Sequence, residues 1–402
     1  MKRKNDDSKI KELKSLAASG QLYFAYGSNT NLGDFQARTS TSMQVVGKAV
    51  VADACLVFDR YSGNRKGGVL SLKDCPGRVV EGLLMVPDNW QALDEKEGAP
   101  RCYTRVPITV MVGFGGVIHE LTAWTYITTN PVAFVPPHHE YLEIVMQGYA
   151  EHDISTYALE QASRNKRGSD LQDHNMFTYG TLCREESREN VMRKNNLTQV
   201  GLAEMCQGEI YACGGGAYPG LVQTAEGGHR PVLGELWSYS GGLSASHLQQ
   251  LDTIEGHLST GLRETVDKVQ AFISNGNSPD EACGNIQLEL ESLRSQSLYR
   301  RIFTDVAFGS RGRQCWAYVF NQPTSGLKKI ESGNWRDYCG RWHRFVQKLA
   351  YEFIEKRGGF ENARAALNKV MYARDFSSYE DLVEKIKSCE IDERDMIKAM
   401  KR

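Results

Sequence analysis

A backbone turn and a downstream carboxylate each occur twice in this chain, in the same order and at nearly the same separation. Tyr26-Gly27-Ser28-Asn29 closes the apolar run Leu22–Ala25, and Tyr179-Gly180-Thr181-Leu182 closes Met176–Thr178. Leu93-Asp94-Glu95-Lys96-Glu97-Gly98 follows the first turn and Leu251-Asp252-Thr253-Ile254-Glu255-Gly256 the second. The tyrosine and the final glutamate are 71 and 76 positions apart. The halves agree again at Glu81-Gly82-Leu83-Leu84-Met85 and Leu233-Gly234-Glu235-Leu236-Trp237. Tyr103-Thr104-Arg105-Val106 answers Tyr299-Arg300-Arg301-Ile302, and Ala123-Trp124-Thr125-Tyr126 answers Cys315-Trp316-Ala317-Tyr318. Gly67-Gly68-Val69-Leu70 sits where the second half has Tyr218-Pro219-Gly220-Leu221-Val222. Repetition at long period fixes the domain count before any local reading. Two copies of one domain are expected.

Each copy reads as a compact, mainly antiparallel barrel with helices outside. The first carries β-branched runs at Val45–Val51, Ala54–Phe58, Gly68–Leu72, Val79–Val86, Arg105–Val112 and Leu121–Ile127, six short strands with few helices between them. Segment 87–96 reads as a capped helix that delivers Glu97 near its C-terminal end, and a second helix is expected at Glu140–Gly148. The spacing divides the chain into an N-terminal helix at 1–20, a first domain at 21–150, a polar linker at 151–173, a second domain at 174–337 and a helical tail at 338–402. The second domain differs by an insertion at 258–298. There Leu262, Val266, Val269, Phe272 and Ile273, then Ile286, Leu288, Leu290 and Leu293, follow helical spacing on either side of Asn275-Gly276-Asn277-Ser278-Pro279. A helical hairpin is expected.

The charge balance excludes some functions. With 48 basic against 49 acidic residues the net charge is −1, so no global field draws the chain to nucleic acid or an anionic membrane. The longest apolar runs are strand-length, too short to span a bilayer. Met1-Lys2-Arg3-Lys4 has no apolar core behind it, so it reads as no secretory signal. Ten cysteines are scattered without metal-like spacing, the usage of a cytoplasmic protein. His138-His139 and His257 lack ligand partners at recognisable spacing, and Cys183 lacks a paired histidine; a small buried thiol is the expected reading there.

A Tyr-Gly-[Ser/Thr] turn at a strand end offers consecutive N–H groups, and such a concavity binds a carboxylate or a developing oxyanion. With the duplicated carboxylate, these residues bear a family resemblance. The first half resembles γ-glutamylcyclotransferases, through Tyr23-Phe24-Ala25-Tyr26-Gly27-Ser28-Asn29, Gly67-Gly68, Leu93–Gly98, Tyr103 and Tyr141-Leu142 before Met146-Gln147-Gly148. The second is similar to the γ-glutamylamine cyclotransferase branch, through Phe177-Thr178-Tyr179-Gly180-Thr181-Leu182, Tyr218–Val222, Glu255-Gly256 and Tyr299-Arg300-Arg301.

The resemblance implies an α+β fold: two tandem small mixed β-barrels with flanking helices and a helical C-terminal tail. It implies cleavage of γ-glutamyl amides by the substrate's own α-amine, releasing 5-oxoproline and a free amine. Glu97 and Glu255 would then be the catalytic bases, with Tyr26, Gly27, Ser28, Asn29 and Tyr103 binding substrate in one copy and Tyr179, Gly180, Thr181, Leu182 and Tyr299 in the other. No metal or cofactor is needed. The partner is a small γ-glutamyl substrate, glutathione among them, or a γ-glutamylated protein. Second comes a division of labour, one copy catalytic and the other binding a γ-glutamylated ligand. A sensor or scaffold without catalysis is the third reading.

Overall fold

The computed structural model describes residues 2–39, 41–166, 175–194, 197–225, 230–239, 245–368 and 376–388, with 391, 396 and 399. Linker positions 167–173 and much of the tail beyond 368 therefore lie outside the described residues. The chain forms two compact units, Met1–His174 with Gly242–Phe303, and Asn175–Gly241 with Thr304–Arg402. The hairpin 258–298, read from sequence as part of the second domain, thus groups with the first.

The strands in chain order are β1 (Tyr23–Ala25), β2 (Met43–Ser62), β3 (Gly67–Pro87), β4 (Tyr103–Phe114), β5 (Val117–Thr128), β6 (Asn175–Thr178), β7 (Leu197–Met205), β8 (Gly208–Cys213), β9 (Tyr218–Gln223), β10 (Val232–Tyr239), β11 (Tyr299–Phe308), β12 (Arg311–Phe320) and β13 (Lys328–Lys329). The first barrel closes in the order β1-β3-β2-β4-β5. β1 lies antiparallel to β3 (Tyr23 opposite Met85) and parallel to β5 (Tyr23 opposite Trp124). The second barrel repeats that plan: β6 lies antiparallel to β10 and parallel to β12, and β7 and β11 complete the ring. β11 crosses the boundary between the units, and its Ala307 pairs with Glu204 of β7.

Four of the expected short strands merge into two long ones. Val45–Val51 and Ala54–Phe58 both fall in β2, and Gly68–Leu72 and Val79–Val86 in β3, because the ladder passes a bulge instead of breaking. Asp53 takes φ +55 and Gly77 φ +74 at that bulge, and the Gly77 N–H donates to Asp53 Oδ1 at 2.8 Å. In the second copy the same ladder does break, and its outer part becomes a separate sheet of β13, β8 and β9.

Helix Trp90–Glu97 starts on Asn89, whose side chain accepts from the Ala92 N–H, and ends at Gly98 in the left-handed conformation (φ +66). Gly256 closes Ala245–Glu255 the same way at φ +62. The leucines of the two motifs, Leu93 and Leu251, are fully buried. The glycine of Leu-Asp-x-x-Glu-Gly is therefore a helix stop, and the leucine an anchor.

The hairpin is helices Leu262–Ser274 and Pro279–Gln296, the second opened by a capping box of Ser278 and Glu281. Its Val266, Val269, Ala282 and Ile286 join one core with Leu84, Val106, Val110 and Val145 of the first unit. The tail packs a core of its own around Phe353, Leu367, Phe376 and Leu382. No described helix is long and apolar enough to cross a membrane.

Candidate functional site

The first turn leaves β1 at Tyr26 and coils into a 3₁₀ turn over Ser28–Thr30. Thr30 closes it, its N–H and hydroxyl both donating to the Gly27 carbonyl at 3.0 and 2.8 Å. Ser28 and Asn29 head the turn, so their N–H groups have no acceptor within it. Helix His139–Glu151 holds the turn from outside. A β-carbon on Gly148 would lie 2.5 Å from both the Asn31 nitrogen and Thr30 Oγ1, so only glycine permits that approach. Tyr149 donates its hydroxyl to the Tyr26 carbonyl at 2.6 Å.

Against this turn stands Glu97, in a cleft lined by Tyr26, Gly27, Ser28, Tyr103 and Tyr141. Asn29 Nδ2 donates to Glu97 Oε1 at 2.9 Å and Lys96 Nζ reaches the same oxygen at 3.0 Å. Oε2 has no hydrogen-bond partner among the described residues. Asn29 also donates to the Tyr23 hydroxyl at 2.7 Å. One carboxylate oxygen is held and the other faces no protein donor.

Four buried tyrosines surround the carboxylate. Burial, and then neighbouring phenols and the Glu97 charge, hold Tyr23, Tyr26 and Tyr103 well above the usual tyrosine value. Burial pushes Tyr141 up to about 12. All four stay neutral donors at physiological pH. Tyr103 donates to the Leu70 carbonyl at 2.8 Å and Tyr26 to the Tyr126 carbonyl at 2.5 Å. Gly27 has φ −124, and a β-carbon on it would come no closer than 3.6 Å to any atom. Neither backbone nor packing demands glycine there; the space it leaves opens on the cleft.

The first set of sequence candidates is thus brought together: Glu97, Tyr26, Gly27, Ser28, Asn29 and Tyr103 line one cleft. Tyr23, Tyr126 and Tyr141 line it too, and sequence reasoning gave them no role. The signal was present for Tyr126, whose counterpart Tyr318 occupies the matching place in the second copy. The second set is divided. Tyr179, Gly180, Thr181 and Leu182 lie in the second unit, while Glu255 and Tyr299 group with the first. The Tyr179 hydroxyl donates to the Tyr318 carbonyl at 2.8 Å, the bond Tyr26 makes to Tyr126. Gly180 differs from Gly27, since a β-carbon there would meet Pro219 Cγ at 2.3 Å. Burial and then the charge of Glu235 push the Cys183 thiol far up, so it stays protonated.

The second motif's aspartate and the buried arginine two positions after its tyrosine form an ion pair, Arg301 Nε to Asp252 Oδ1 at 2.8 Å. His257 packs on this pair, its Nδ1 accepting from the Arg301 N–H at 3.4 Å. Burial and then Arg301 lower its pKa to about 4 from 6.5. The unfolded chain takes up a proton near pH 6.5 while the folded chain stays neutral to about 4. This stability is therefore whole above 6.5 and lost as pH falls to 4, on the order of 3 kcal/mol. Thermal melting from pH 7 to 4 should show a smaller drop in His257→Asn than in the wild type.

Among the described residues, the group able to converge on a metal is His138, His139 and Glu140, with ligand atoms within 4.8 Å of one another. None of the three lines the cleft at Glu97.

The sequence profile of the family described as gamma-glutamyl cyclotransferase, AIG2-like, matches residues 23–149 and again 176–337. No curated protein matches the chain. Among solved structures, a gamma-glutamyl cyclotransferase is 25% identical over 38% of this chain and 90% of its own, with a TM-score of 0.32. An uncharacterised Homo sapiens protein is 27% identical over 38% and 90%, also at 0.32. An AIG2-like protein from Mus musculus is 20% identical over 29% and 85%, at 0.23.

Proposed function

This chain belongs to the gamma-glutamyl cyclotransferase, AIG2-like family, and from that premise we propose that its first domain cyclises γ-glutamyl amides to 5-oxoproline and a free amine. The observation that carries the reading is Glu97, fixed through Oε1 by Asn29 and Lys96 beside an amide-bearing turn, with Oε2 turned to no protein partner. Glu97 takes a proton from the substrate's α-ammonium, and the freed amine attacks the γ-carbonyl. Ring closure is intramolecular, where effective molarities reach about 10⁵ M or more. The Ser28 and Asn29 N–H groups receive the oxyanion, Glu97 returns its proton to the leaving amine as the C–N bond breaks, and the freed carboxylate takes the second proton that the ring nitrogen sheds. The neutral hydroxyls of Tyr23 and Tyr141, which accept from Asn29 Nδ2 and the Leu70 N–H, keep their own hydrogens to donate to the γ-glutamyl head.

Glu255 is the corresponding candidate of the second repeat. The described cysteines form no disulfide with one another, which suits a reducing cytoplasm. The test is direct: the full chain, incubated with γ-glutamyl amino acids and γ-glutamyl amines, should release 5-oxoproline detectable by mass spectrometry. No release from any of them would end the proposal.

A further inference from the structure

The two motif arginines each pair with two carboxylates, although neither carries the proposed chemistry. Arg105 follows Tyr103 by two positions as Arg301 follows Tyr299. Each side chain is only 2% exposed, and each pairs with the aspartate of its own Leu-Asp-x-x-Glu-Gly helix. Arg105 Nη2 lies 3.5 Å from Asp94 Oδ2, and Arg301 Nε lies 2.8 Å from Asp252 Oδ1. Each also takes a second carboxylate, and in both cases that carboxylate comes from the other repeat of the sequence. Arg105 donates to Asp280, in the first turn of the inserted hairpin's second helix. Arg301 makes a two-pronged contact with Asp53 at 3.2 and 2.7 Å, from the bulge where Asp53 takes its left-handed backbone. All these residues lie within the first unit.

Arg105 is placed to control Glu97. Its guanidinium sits 4.9 Å from the ring centres of both Trp90 and Trp124, which are themselves 5.1 Å apart, so it caps the indole pair with two cation–π contacts. Trp90 begins the helix that ends in Glu97, and it packs edge-on against Tyr23 at 6.1 Å. On the other side Asp94 accepts from the Tyr126 hydroxyl at 2.6 Å. The helix is thus held at its start through Trp90 and in its middle through Asp94. The hairpin reinforces the same strands: Gln287 accepts from Trp124 Nε1 at 3.1 Å, and Gln270 donates to Thr104 Oγ1 at 2.7 Å.

We infer that Arg105 and Arg301 are reciprocal positioning residues, each clamping the glutamate-bearing helix of its own repeat with a carboxylate that the other repeat supplies. Arginine suits both places: at Arg105 its broad charged plane caps two indoles while Nη2 reaches both carboxylates, and at Arg301 its fork meets two carboxylates through separate nitrogens. A site built this way loses turnover before it loses fold, since small displacements of the base are felt strongly. For Glu97 the consequence rests on the function proposed above, so two readouts are needed.

The experiment uses the full chain with Asp280→Asn, Asp280→Glu and Arg105→Lys. Asp280 is 70% exposed, so replacing it leaves the core intact even if Arg105→Lys does not fold. Amide hydrogen exchange at residues 93–98 should rise about tenfold in Asp280→Asn, and kcat for 5-oxoproline release should fall about tenfold with KM within about twofold. Asp280→Glu should keep both near wild type. Asp53→Asn is the matching test, read as exchange at 251–256. Wild-type exchange in both asparagine variants would overturn the clamp. A wild-type chain that releases no 5-oxoproline defeats the proposed function alone, and the exchange data still decide the clamp.

Discussion

Glu97→Gln is expected to lower 5-oxoproline release by the first domain by about 10²–10⁴-fold, the usual contribution of a positioned general base. Glutamine keeps the shape and an oxygen for Asn29 to bond, but it cannot accept a proton from an α-ammonium. The loss should therefore appear in kcat, with KM little changed. Folding should survive. The ion pair lost is the one to Lys96, which also donates to Asn29 Oδ1 and so keeps an acceptor when the carboxylate becomes an amide. Thermal melting checks this, and coupled kinetics on γ-glutamyl substrates check the rate. Glu255→Gln, assayed beside it, apportions turnover between the repeats. A double variant with wild-type turnover would remove both glutamates from the chemistry.

Gly82→Ala and Gly234→Ala should each destabilise the protein by about 3 kcal/mol, through overpacking at a backbone contact. A β-carbon at Gly82 would lie 2.5 Å from the Ala25 carbonyl oxygen and 2.6 Å from the Phe24 ring. At Gly234 the same atom would lie 2.3 Å from the Thr178 carbonyl oxygen and 2.6 Å from the Phe177 ring. In each barrel the glycine lets the short strand before the turn press against its neighbour. Neither partner can retreat, since Ala25 and Thr178 lead directly into the turns. For a unit of this size the melting point should drop by roughly 6–12 °C. Gly27→Ala is the control: its β-carbon meets nothing closer than 3.6 Å, so its melting point should hold.

The two-barrel plan and the gathering of the first candidate residues at one cleft were legible in the sequence because both rest on local signals. A strand, a glycine turn and a capped helix each carry their own residues, and their repetition removed the ambiguity of reading them once. The cleft tyrosines were harder, since Tyr126 and Tyr141 look like core aromatics until the turn is placed beside them. What the hairpin packs on was not legible at all. Leu262, Val266 and Val269 announce an apolar stripe that needs covering, yet a stripe does not name its partner. Its position inside the second repeat suggested that repeat, and the core it joins belongs to the first unit. The division of the second set has the same origin. Helix Ala245–Glu255 travels with the hairpin that follows it, so Glu255 and the Tyr179 turn fall in different units.

The crossed carboxylates bear on how a duplicated chain ages. Once Asp280 and Asp53 have been traded between the repeats, a lineage can discard the glutamate of one copy and lose only that copy's chemistry. It cannot discard that copy's aspartate without disturbing its sibling. Divergence is then free at the reacting groups and restrained at the struts, so a retired half of such a protein persists as the brace of the working one.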